Sequence, residues 1–247
     1  MKFAPVVSLL ILVALAVAIF ASESSPPKST AENESFAPTD RYEVREIRGW
    51  RVLVHQDLPR QEPELCEQTL ELLSHHLYDI TRKLPADALA KLRQITIWVE
   101  NAEPHHPCMA FHPDPGWLRE HGMNPEKAGC VEIANARNFL GWTQDQPAMV
   151  LHELAHGYHH RFLEHGFDNP EVLAAYHHAL DTKLYDSVLR RGNTVERAYA
   201  ATNQMEYFAE TTESFFGTND FYPFVRVELQ RHDPQMYELL KKLWGAK

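Results

Sequence analysis

The chain has no run of basic residues, and with 34 Asp and Glu against 24 Lys and Arg its formal charge is −10. Nucleic acid and anionic membrane surfaces are bound by clustered Lys and Arg, so neither is expected as a partner. Cysteine is scarce: the three stand at 66, 108 and 130, an odd number and too widely spaced for a Cys-based zinc site. Outside residues 3–21 no segment approaches the roughly eighteen apolar residues that a membrane-spanning helix needs. No internal repeat is present, which excludes a solenoid.

What is present begins with the exception. Residues 1–21 carry a single charge, Lys2, followed by an apolar run broken only by Pro5 and Ser8. Ala16-Val17-Ala18 offers a small-x-small cleavage site and Ile19-Phe20-Ala21 a poorer one. This pattern is that of an export signal, with an uncleaved membrane anchor as the alternative, and it predicts a secreted or periplasmic protein. The charge falls to −11 if Lys2 leaves with the signal. Residues 22–40 are Ser, Pro, Glu and Lys with few large hydrophobes, the composition of a flexible linker. Residues 41–247 are enough for one domain with a substantial core.

Polarity alternates over Tyr42–Ile47 and Trp50–His55 around Arg48-Gly49, which predicts a hairpin. Residues 63–84 read as a helix with Cys66 buried, and Ile95, Ile97 and Val99 mark a strand. The following stretch is dense in Pro, Gly and His, and His105, His106, His112 and His121 read as loop and surface residues because none pairs with a carboxylate at ligand spacing. Cys108 and Cys130 flank this stretch, and a disulfide closing it would stabilise by about 3 kcal/mol. A strand over 130–136 is expected next, then a helix over 171–190 whose His177 and His178 are structural, a turn at 219–223 and a closing helix interrupted near Asp233-Pro234.

The most informative stretch is His152-Glu153-Leu154-Ala155-His156. On a helix, imidazoles four residues apart face the same way and can grip one zinc ion, and the carboxylate beside the first can take a proton from water. Leu151, Leu154, Ala155, Tyr158 and Phe162 make the buried stripe of that helix, with Thr143 or Asp145 as its cap, Pro147 in its first turn and Gly166 as its stop. A catalytic zinc takes three protein ligands. An extended motif would need Gly at 159 and His at 162, but His159 and Phe162 stand there, and a Glu 19 residues past the second His would fall at Ala175. The remaining source is residues 199–213, free of Gly and Pro, in which Glu206, Glu210 and Glu213 share one helical face. Three like charges on one face repel in water and are relieved by a dication.

At these residues the sequence resembles the catalytic domain of the anthrax lethal factor-like zinc metallopeptidases, of the gluzincin class. The likeness rests on His-Glu-x-x-His and, some 50 residues on, Tyr199-x6-Glu206-Tyr-Phe-Ala-Glu210, and it is specific only over about 152–217. It implies that Glu206 is the third zinc ligand with His152 and His156, that Tyr199 assists catalysis and that Glu210 supports a ligand from behind. It also implies that Glu132, Ile133, Ala134 and Asn135, on the strand before the zinc helix, bind substrate as an added antiparallel strand. The expected architecture is α+β and zincin-like: a small mixed sheet with an edge strand, and a mostly helical lobe. The expected function is hydrolysis of a peptide or protein by zinc-activated water with Glu153 as general base. Two rivals stand beside it, a zinc amidohydrolase acting on a cell-wall amide and a binding module that keeps zinc without turnover.

Overall fold

The computed structural model describes residues 36–247; the predicted signal or anchor, at 1–21, lies outside them. The fold begins earlier than the predicted linker allows. The Ala37 carbonyl accepts from Asn124 Nδ2 at 3.2 Å and Thr39 Oγ1 donates to Glu126 at 2.6 Å, so the chain is fastened to the domain before residue 41.

The expected hairpin is present: β1 (Tyr42–Ile47) and β2 (Trp50–His55) pair antiparallel with Ile47 opposite Trp50. Its two-residue loop needs positive φ twice, and Arg48 (55°) and Gly49 (88°) supply it. After a short helix α1 (Asp57–Gln61), helices α2 (Pro63–Lys83) and α3 (Ala86–Leu92) cross over the sheet to β3 (Ile97–Val99), which lies parallel to β2. Cys66 is buried on α2, as expected. Next come β4 (Met109–His112), α4 (Pro115–Glu120) and β5 (Cys130–Ile133). The order across the sheet is β1-β2-β3-β5-β4, so β5 runs inside, parallel to β3, and β4 closes the sheet as an antiparallel edge. A mixed sheet of this kind with a larger helical part is an α+β fold.

One face of the sheet, with Val52, Val54, Ile97, Val99, Val131 and Ile133, is buried in the main core with α2 and with α6 (Met149–Phe162). Gly157 lets α6 come close: a Cβ there would stand 2.6 Å from Ile95 Cδ1 and 3.3 Å from Phe111. Neither Thr143 nor Asp145, the alternative caps expected for this helix, caps it: both belong to a separate helix, α5 (Ala136–Asp145), capped by Asn135. Thr143 bonds back to the Phe139 carbonyl at 2.8 Å, and α6 starts without a side-chain cap.

The predicted helix over 171–190 is shorter. α7 (Pro170–Asp181) ends where Lys183 adopts positive φ, and β6 (Val188–Arg190) and β7 (Thr194–Glu196) form a hairpin turned by Gly192 and Asn193, both at positive φ. The run 199–213 is not one helix either. Residues 199–201 make a single tight turn, and α8 (Gln204–Phe216) starts afresh after Asn203, whose Oδ1 accepts from the Met205 and Glu206 amides at 2.9 Å. The closing helices α9 (Arg226–His232) and α10 (Pro234–Trp244) break at Asp233-Pro234 as expected, and Trp244 stacks on Tyr158 of α6 at 4.0 Å.

The disulfide is absent. Cys108 and Cys130 are both free, because β4 and β5 pair with His112 opposite Cys130, while Cys108 lies beside Ala134 four residues along. At about 3.4 Å per residue that offset is ~13 Å, beyond the roughly 7 Å that a disulfide spans.

Candidate metal and catalytic centre

Helix geometry brings the two imidazoles of α6 together: His152 Nε2 and His156 Nε2 stand 3.0 Å apart. α8 runs against α6 and supplies the third group. Glu206 Oε2 lies 3.0 Å from His152 Nε2 and 3.2 Å from His156 Nε2, so three donor atoms close a small triangle, and the Asn203 cap sets where the α8 backbone starts to deliver Glu206. His152 and His156 are each 9% exposed, and the triangle opens into a cleft of about 360 Å³.

The chemistry of this set fits a metal ion. Glu213 Oε1 accepts from His152 Nδ1 at 2.7 Å, which leaves the lone pair of a neutral His152 ring on Nε2, facing the lone pair or proton of His156 and the Glu206 oxygen. Acceptors so close need a cation or a shared proton between them. Donors about 2.0–2.1 Å from a tetrahedral zinc stand ~3.3 Å from each other, so only a few tenths of an ångström of widening would be required. The local field agrees. Burial alone would lower the His152 imidazole, but the hydrogen bonds to Glu206 and Glu213 outweigh it and raise its proton affinity well above the ordinary value. Burial would likewise raise Glu206, yet the two imidazoles hold it far below the usual carboxylate range.

Glu213, not Glu210, holds the His152 imidazole from behind. Glu210 comes no nearer than 3.9 Å to His152 Nδ1, and its buried Oε2 has no hydrogen-bond partner. Burial, then the neighbouring Glu213 charge, pushes the Glu210 carboxyl well up. Azimuth explains the exchange: at about 100° per residue Glu213 returns to within ~20° of Glu206 after two turns, whereas Glu210 overshoots by ~40°.

Glu153 faces the same cleft. Its Oε2 accepts from the backbone amide of Phe111 at 2.8 Å, and burial raises its carboxyl, an effect that the neighbouring imidazoles offset only in part. Tyr199 reaches the site from the turn before α8, with its hydroxyl 3.3 Å from Glu206 Oε1 and its ring stacked 6.5 Å from that of His152.

The strand assigned to substrate is corrected. Glu132 and Ile133 lie on β5, paired on both sides by β3 and β4, and Ala134, just past the end of the strand, donates its amide to the Cys108 carbonyl. Asn135 spends its side chain on the Asn138 amide as the cap of α5. The open edge beside Glu153 is β4. Cys108 and His112 turn their carbonyls to Ala134 and Gly129 on the β5 side, so by alternation Met109 and Phe111 turn their backbone groups outward. Met109 and Phe111 line the cleft with Trp142, Met149 and Tyr199. The sequence hid this strand inside a stretch read as loop. His112, read as a surface residue, is 2% exposed and bonds Glu132 at 2.6 Å.

Compared with protein-family models, curated proteins and solved structures, the chain matches none.

Proposed function

We propose that the chain is an exported zinc endopeptidase with a zincin-like fold, in which His152, His156 and Glu206 hold the ion. The observation that carries the reading is the triangle of donor atoms 3.0–3.2 Å apart with an unpaired-by-cation carboxylate, Glu153, on the same wall of the cleft. Zinc so held would polarise a carbonyl and make water acidic near neutrality. Glu153 takes the proton of the attacking water and passes it to the departing amine, work suited to a carboxyl whose proton affinity burial has raised. The Tyr199 hydroxyl, free to turn from Glu206, donates to the carbonyl oxygen as charge builds there.

A polypeptide substrate is favoured by the open edge of β4. The Met109 amide and carbonyl and the Phe111 carbonyl are placed to pair with an extended chain, which would lie beside Glu153 as one more antiparallel strand. Export follows from the sequence of residues 1–21 alone. Among the described residues no helix is long and apolar enough to cross a membrane.

The test is digestion of an unbiased peptide library and of cell-wall fragments by the purified chain. Cleavage of peptides, its loss on chelation and its return with zinc are expected. Glu153→Gln should keep zinc and lose about 10²–10⁴-fold in rate. Cleavage of wall fragments alone would replace the peptidase by an amidohydrolase, and zinc binding without any turnover would leave a binding module.

A further inference from the structure

The sheet face turned away from α6 hides ionisable groups that the proposed chemistry does not use. Lys127 is 1% exposed, His112 2% and Glu132 0%. Lys127 Nζ donates to Glu100 Oε1 at 2.8 Å and, closer still, to Glu132; Tyr42 donates its phenol to Glu100. The second oxygen of Glu132 accepts from His112 Nε2 at 2.6 Å. Burial alone would raise the Glu132 carboxyl, but the bond from His112 and the Lys127 charge hold it below the ordinary range. Taking this many charges out of water is unfavourable, and an apolar filling of the same space would avoid it.

What the network fastens is the edge strand. β4 is four residues long and pairs with β5 alone, the least constrained place in the sheet. Its last residue, His112, is pinned to Glu132 on the far face, while its neighbour Phe111 gives its amide proton to Glu153 on the near side. A four-residue strand that slid or twisted would carry that amide with it, and misplacing a reacting group by ~1 Å can cost about 100-fold in rate.

We infer that Glu132 and His112, with Lys127 between Glu132 and Glu100, are positioning residues for Glu153: they hold β4 so that the Phe111 amide fixes the carboxylate against the metal-ligand triangle. The inference rests on the reading of Glu153 as the base, but the mechanical link it asserts can be measured without turnover.

Amide exchange at Phe111, followed by NMR on the full chain, reads the link directly. Glu153→Ala should speed exchange at Phe111 about tenfold by removing the acceptor. Glu132→Gln and His112→Phe should do the same while zinc content stays at the unaltered ratio. On any substrate found, both should lower kcat about 10- to 100-fold with KM within about twofold. His112→Gln, which can still donate to Glu132, should restore slow exchange and rate together. Phe111 exchange unchanged in His112→Phe and Glu132→Gln, or a rate that follows thermal stability alone across the set, overturns the inference. If Glu132→Gln fails to fold, the His112→Phe and His112→Gln pair decides. If the unaltered chain shows no turnover, the peptidase reading falls, and the exchange comparison still decides whether the network holds Glu153.

Discussion

Removing the Glu213 carboxylate should loosen zinc, and removing that of Glu210 should not. Glu213 Oε1 lies 2.7 Å from His152 Nδ1 in a position only 3% exposed, a charge-assisted hydrogen bond that fixes the ring and aims Nε2 at the triangle. Such a bond is worth about 1.5–3 kcal/mol, and at ~1.4 kcal/mol per decade this becomes a loss of about 10- to 100-fold in zinc affinity for Glu213→Ala. Glu210 makes no such bond, since its nearest oxygen is 3.9 Å from the ring and Oε2 has no partner. Glu210→Gln should therefore change zinc affinity by less than about threefold, and replacing a buried carboxylate whose Oε2 has no partner leaves stability equal or higher. Competition against a chromophoric chelator gives both affinities, with thermal scans of the metal-free proteins to show that each is folded. A larger zinc loss in Glu210→Gln than in Glu213→Ala would refute the assignment.

Three further outcomes follow from the described geometry. Asn203→Ala removes the acceptor of the Met205 and Glu206 amides, so it should cost about 1 kcal/mol by denaturant unfolding and weaken zinc binding as Glu206 frays. Thiol titration of the unreduced, denatured chain should find three free thiols, and reductant should leave Tm unchanged; a Tm lowered by reductant would reinstate a disulfide. Burial holds His76 down to about 4 and His159 to about 3, so both stay neutral in the folded chain while the unfolded chain protonates near 6.5. The unfolded state thus binds more protons below pH 6.5, and stability should fall as pH drops from there toward 4, by about 3 kcal/mol for His76. Urea unfolding of the metal-free chain across that window checks the sign; His159→Phe, which suits a site between Phe167 and Phe208, should flatten the fall.

Local chemistry made part of this structure legible in the sequence. Arg48-Gly49 between two alternating segments marked a two-residue turn, and the spacing of His152, Glu153 and His156 marked the face of a helix. The carboxylate triad of α8 does face His152, as its spacing required. Long-range order was not legible. Nothing local says that β5 lies inside β4, and Met109–His112 is too short, in too Pro- and His-rich a setting, to stand out as the edge. Two of the helix boundaries do carry a local signal. Asn203 stands three residues before Glu206, the spacing of a helix cap, which would have broken the run 199–213 where α8 starts. Ala136, Phe139 and Thr143 repeat at helical spacing, which would have separated α5 from α6.

The proposed ligand set of His152, His156 and Glu206 is tested most directly by the atoms that surround bound zinc. X-ray absorption at the zinc edge of the purified chain should show one zinc per chain with four nitrogen or oxygen neighbours at about 2.0–2.1 Å, two of them with imidazole outer scattering, and His156→Ala or Glu206→Ala should remove the ion. A chain that carries no zinc when supplied with it, or a shell containing sulfur at about 2.3 Å, would contradict it.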